Sequence, residues 1–137
     1  RTMLIEAYDP AGPRRVPASV DYWGFDVYGV ADPAKKAKFG AFLFAARTTM
    51  HAGQKIVLVM DANFTPYHQK VGLTEAGMAD VARAYYAFAL AQPDVAGMLG
   101  YAWPGGIDND QEKGARDLPP SVRAAHEEIG RAILAAR

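Results

Sequence analysis

The chain has 137 residues, half of them apolar and 22% charged, which fits a single domain over residues 1–137 with a sizeable core and excludes a disordered polymer. Fifteen basic and fifteen acidic residues cancel, so the excess of Lys and Arg that drives generic binding to nucleic acid or anionic membranes is missing, and neither partner is expected. With no cysteine there are no disulfides, no thiolate metal site and no cysteine nucleophile, while the compartment stays open.

The apolar run Ile56 to Met60 is far too short to span a bilayer. A start at Arg1 with no basic-then-apolar leader reads as a cut point, either a processing site or an excised fragment.

Four segments read as strands. Met3–Tyr8 comes first and is closed by Asp9-Pro10 and a Gly/Pro/Arg loop. Tyr22–Tyr28 is rich in aromatic and β-branched residues and is stopped by Gly29. An Asp32 N-cap with Pro33 behind it then predicts a helix carrying Phe39, Phe42, Leu43, Ala46 and Met50, with Gly53 as its stop. Lys55–Asn63 is an unbroken apolar run of the kind covered on both faces. Thr74 caps the next predicted helix, which buries Met78, Val81, Ala82, Tyr85 and Phe88 or Ala89. Val95–Trp103 is the fourth strand, and a last helix from about Pro120 carries Val122, Ala125, Ile129, Ala132 and Ile133 on one side. The order β-loop-β-α-β-α-β-α, with helices between successive strands, predicts an α/β fold with parallel pairing.

In parallel α/β sheets reactive side chains gather at the carboxyl ends of the strands. Alternation places Asp26 and Tyr28 on one face of the second strand, and Val57, Val59, Asp61 and Asn63 on one face of the third. Leu99, Tyr101 and Trp103 share a face of the fourth. If those faces point inward, two carboxylates, an amide, two tyrosines and an indole converge, with His68 within reach from the following loop. Plainer readings stand beside this one. Asp61 and Asn63 suit an ordinary turn, Tyr28 and Trp103 suit a core, and Asp26 suits backbone bonding next to Gly24. Asp108-Asn-Asp110 lacks the glycine and distal glutamate of a calcium loop. His51, His68 and His126 have no metal-ligand spacing, and His51 and His126 read as helix-surface residues; no metal is expected. Asn63-Phe64-Thr65 fits a glycosylation sequon, a pattern common by chance, and Pro66 follows it directly. No phosphate loop, dinucleotide fingerprint or G-x-S-x-G elbow appears.

GFDVYG with a helix after it, KIVLVMDANF with another, then GMLGYAWPGG and a last amphipathic helix, resembles the C-terminal half of a (β/α)8-barrel glycoside hydrolase. The likeness is to the superfamily with paired carboxylates at the ends of strands four and seven, and it covers nearly the whole chain. It implies a parallel four-stranded half of a TIM barrel, strands five to eight with their helices. It further implies a carbohydrate substrate, no cofactor, and an extracellular or periplasmic location. On that resemblance Asp61 takes the place of the nucleophilic carboxylate, Tyr28 that of the tyrosine which hydrogen-bonds it, and Trp103 that of the floor under the sugar ring. Asp26 and Asn63, with His68 and Tyr101, would then contact sugar.

Two departures matter. The family carries glutamate where this chain has Asp61, and carboxyl separation sets the outcome: about 5 Å for retention and about 6.5–9.5 Å for inversion. The family's general acid lies on strand four, absent here. Candidates within the chain are Asp26, Glu6, Asp9 and Asp108, in that order. An open half-barrel exposes edges and an apolar face, so the expected partner is a missing N-terminal half-barrel or a second copy. The expectation is hydrolysis of O-glycosidic bonds in a poly- or oligosaccharide. The alternative is a non-catalytic carbohydrate-binding or scaffold barrel module. A barrel enzyme for phosphorylated metabolites is the third reading, disfavoured by the missing glycine-rich loop.

Overall fold

The structure is a computed structural model that describes residues 1–107 and 109–136. The strands and helices run β1 (Met3–Ala7), β2 (Tyr22–Asp26), α1 (Ala37–Arg47), β3 (Lys55–Asp61), β4 (Asn63–Phe64), α2 (Pro66–Lys70), α3 (Met78–Leu90), β5 (Val95–Tyr101), β6 (Lys113–Gly114) and α4 (Pro120–Ala135). Four strands form one sheet in the order β1-β2-β3-β5, every neighbouring pair parallel. Parallel neighbours need a crossover connection, here a long loop between β1 and β2 and helices between the later strands, and this sequential order without reversal is compatible with half of a (β/α)8-barrel arrangement. The sheet stays open, with β1 and β5 as its edges.

Alternation sorts the two faces. Trp23 and Phe25 of β2, and Ile56, Leu58 and Met60 of β3, share one buried cluster with residues of α1, α3 and α4. Aromatic rings supply much of it: Phe25 lies 4.9 Å from Phe39 and 4.7 Å from Phe42, centroid to centroid. Each such side chain, fully withdrawn from water, contributes about 1.5–3 kcal/mol. The other face carries Ile5, Gly24, Val57, Val59 and Leu99, none of which belongs to the helix-packed cluster. Met3 and Leu99 there are 51% and 42% exposed.

Several boundaries differ from the sequence expectation, each for a local reason. The second strand stops at Asp26, because Gly29 turns the chain at φ +71° and gives its N–H to Asp61 Oδ2 at 2.7 Å. A side chain at Gly29 would be strained by that φ and would meet the Tyr67 ring at 2.8 Å. The third strand ends at Asp61; Asn63 and Phe64 then pair antiparallel with Gly114 and Lys113. Asp32 caps a separate turn, accepting from Ala34 N–H at 3.0 Å, and α1 begins only at Ala37. Thr74 likewise holds a turn through Gly77 N–H at 3.0 Å, ahead of α3 at Met78. On α4, Val122, Ala125 and Ile129 are buried as expected, whereas Ala132 and Ile133 lie in solvent beyond the sheet. His126 on α4 is half-buried rather than a surface residue, and burial pulls its imidazole below the usual histidine value. No helix among the described residues is long and apolar enough to cross a membrane.

Candidate functional site

The carboxyl ends of β2 and β3 bring four of the expected residues together. Asp61, at the last position of β3, is only 1% exposed. Its Oδ2 accepts from Gly29 N–H at 2.7 Å and lies 3.2 Å from His68 Nε2, off the line of a full hydrogen bond. Its Oδ1 has no hydrogen-bond partner among the described residues. His68 arrives on the short α2, where Thr65 N–H donates to Nδ1 at 3.0 Å. A ring nitrogen that accepts carries no proton, so the neutral imidazole holds its hydrogen on Nε2, facing Asp61. The His68 ring also stacks on Phe64, centroids 5.8 Å apart.

Tyr28 does not hydrogen-bond Asp61, the role the resemblance gave it. Its hydroxyl donates to Asp26 Oδ2 at 3.1 Å. Two positions apart beyond the end of β2, the two side chains leave on the same side, and the Gly29 turn fixes the phenol next to Asp26. Burial raises the Tyr28 phenol far above the ordinary tyrosine value, helped by the Asp26 charge and more weakly by Asp61. Tyr28 thus feels both carboxylates. Its ring lies 6.0 Å from that of Tyr101.

Three hollows meet at Tyr28. One of about 440 Å³ lies on the sheet face opposite the helix-packed cluster, with Ile5, Val59 and Leu99 below and Asp26, Tyr28 and Tyr101 at the polar end. A second, about 380 Å³, opens over the ends of β1 and β2 between Tyr8, Asp26, Lys38 and Tyr67. A third, about 190 Å³, is bounded by Asn63, Thr65, Tyr67 and His68. Asp26 borders the first two and is only partly buried, so it is the carboxylate a ligand can touch.

Trp103 is placed otherwise than alternation suggested. It lies past the end of β5 and is 55% exposed, so its face no longer follows from Tyr101. Of the other acids considered, Glu6 turns toward the helical face, where Oε2 accepts from Trp23 Nε1 at 2.7 Å, and Asp9 caps its own loop through Ala11 N–H at 2.9 Å. Asp108 lies outside the described residues. Asn63 is 3% exposed, which leaves the sequon enclosed. No cluster of three or more His, Cys, Asp or Glu with metal-binding geometry occurs among the described residues.

Sequence reasoning missed Glu112. This acid, buried at 5% exposure, accepts from Asn63 Nδ2 and, through Oε2, from Ile107 N–H at 2.8 Å. It anchors the loop after β5 to the segment after β3. A single acid in a polar loop carries no periodic signal, and its partner lies 49 positions away. Compared with protein-family models, with curated proteins and with solved structures, the chain has no significant match.

Proposed function

We propose that the chain is the C-terminal half of a (β/α)8-barrel glycoside hydrolase acting on O-glycosidic bonds of a poly- or oligosaccharide. The observation that carries this reading is that Asp26 and Asp61 flank Tyr28 at the carboxyl ends of adjacent parallel strands, beside an open hollow with Tyr101 at its rim. Glycoside hydrolysis needs paired carboxyl groups, one to protonate the leaving oxygen and one to support the oxocarbenium-like centre or activate water. Tyr101 offers a ring face to a sugar, and Asp26 reaches its hydroxyls.

The burial of Asp61 moves the substrate-facing role to Asp26. A nucleophile must come within about 3–3.5 Å of the atom it attacks, and Asp26 is the carboxylate with access. Asp61 acts as a positioning residue: it holds the Gly29 turn that sets Tyr28, and its charge lies behind the reacting centre. The general acid comes from a strand with no counterpart among these four, as the resemblance implies, so the working site needs a second half-barrel.

The enclosure of Asp61 also favours a second reading, a non-catalytic module that binds carbohydrate on the same hollow. Dinitrophenol release from 2,4-dinitrophenyl cello-, xylo- and manno-oligosaccharides, whose leaving group needs no general acid, and calorimetric binding of the matching tetraoses, with the parent chain, Asp26→Asn and Asp61→Asn, separate the two. Hydrolysis that Asp26→Asn abolishes while binding persists supports the hydrolase. Hydrolysis lost only in Asp61→Asn returns Asp61 to the nucleophile's place. Binding without hydrolysis in the parent supports the module, and neither overturns both.

A further inference from the structure

We infer that the hollow over the ends of β1 and β2 receives an acidic sugar, a uronate, whose carboxylate pairs with Lys38. The inference rests on the carbohydrate reading above and narrows it to a substrate class. The hollow, about 380 Å³, is lined by Tyr8, Asp26, Tyr28, Lys38 and Tyr67. Sites for drug-sized ligands run from about 300 to 1,000 Å³, so this one takes a ring or two.

Lys38 stands in the first turn of α1, with Nζ 5.1 Å from the centroid of the Tyr8 ring. That cation–π contact holds the ammonium at the mouth rather than out in solvent. Among the described residues no carboxylate pairs with it, whereas Lys35 is taken by Asp32 at 2.8 Å and Lys113 by Glu75 at 2.6 Å. A half-buried ammonium with an aromatic seat and no counter-ion is a preorganised anion contact.

Asp26 lines the same hollow; it accepts but does not donate when ionised, and one of its oxygens already takes the Tyr28 hydroxyl. The lining therefore combines an acceptor for hydroxyl groups, a cation and tyrosine rings. A uronate matches all three: ring hydroxyls for Asp26, an apolar ring face for the tyrosines, and a carboxylate for Lys38. A neutral hexose uses the first two and leaves Lys38 without a charge partner. A free phosphate or sulfate ion brings the charge but has no hydroxyl-bearing ring face for Asp26 and the tyrosines.

The test is calorimetric titration of the full chain with tetragalacturonate and tetramannuronate beside cellotetraose and mannotetraose, in low salt and in 0.5 M NaCl. The variants are Lys38→Met, which keeps a straight stem over Tyr8, and Lys38→Arg, which keeps the charge. At least one uronate tetramer is expected to bind about tenfold tighter than the neutral tetramers, as one charge-assisted contact supplies. High salt and Lys38→Met should erase that preference, and Lys38→Arg should restore most of it. Neutral tetramers binding as well as uronates, or a uronate preference that survives Lys38→Met, overturns the inference and leaves the carbohydrate reading standing. No binding by any tetramer overturns both.

Discussion

Replacing Asp61 with alanine exposes how much of the site rests on one enclosed carboxylate. The change takes the acceptor from Gly29 N–H, now 2.7 Å from Oδ2, and removes the carboxylate that lies 3.2 Å from His68 Nε2. A buried donor left without its partner costs about 1–3 kcal/mol. Unfolding entropy near 2.1 cal/mol/K per residue gives a 137-residue chain about 0.29 kcal/mol/K, so each kcal/mol moves the midpoint by about 3.5 °C. Asp61→Ala should lower Tm by about 4–10 °C in a circular-dichroism melt at pH 7. Asp61→Asn retains an acceptor for Gly29 and should lose roughly half as much. A drop below about 3 °C in the alanine variant would mean that the Gly29 turn holds without Asp61, and the positioning role would fall with it.

Two further outcomes follow from the ionisable groups. The Arg47 guanidinium bonds Asp94 at 2.7 and 2.8 Å and holds its carboxyl below the usual range. A depressed folded-state pKa gives stability that is present above the unfolded value of about 3.9 and is lost as pH falls through the lower, folded value. Urea midpoints of the parent and Arg47→Met should therefore differ at pH 6 and draw together as pH falls below the unfolded value; a constant gap would refute the linkage. The Tyr28 phenol is pushed far up by burial and by Asp26, so it stays un-ionised where exposed tyrosines, with values near 10, have lost their protons. Tyr28→Phe should leave the 295 nm absorbance titration unchanged up to about pH 11, and a missing step near pH 10 would show a solvated phenol.

What the sequence made legible was the periodic part of the chain. The apolar run of β3 and the alternating aromatics of β2 fix which side chains face the helices, because burial leaves one workable register. Asp26 and Asp61 could be placed on the opposite side by counting in twos. The failures begin where periodicity stops. Tyr28 was counted as strand, but the chain leaves the sheet at Asp26, and no pattern says which of two nearby carboxylates a phenol will choose. Trp103 was assigned a face by extending β5 two residues too far. The five residues of α2 are too few to show a helical period, so His68 read as a loop residue although its ring is locked against Asp61. The burial of Asp61 was equally illegible, since it depends on Gly29 and His68 closing over it from separate segments.

Glu112 has a mechanical implication. By gripping the amide of Asn63 and the backbone of Ile107 together, while β4 and β6 pair alongside, it couples two segments far apart in sequence into one rigid rim. Neither can be remodelled alone. A grafted sequence after β3 would take the Asn63 amide away from the buried Glu112, and a grafted sequence after β5 would take Glu112 away from that amide. Anyone altering what this mouth admits must therefore exchange both segments as a matched set.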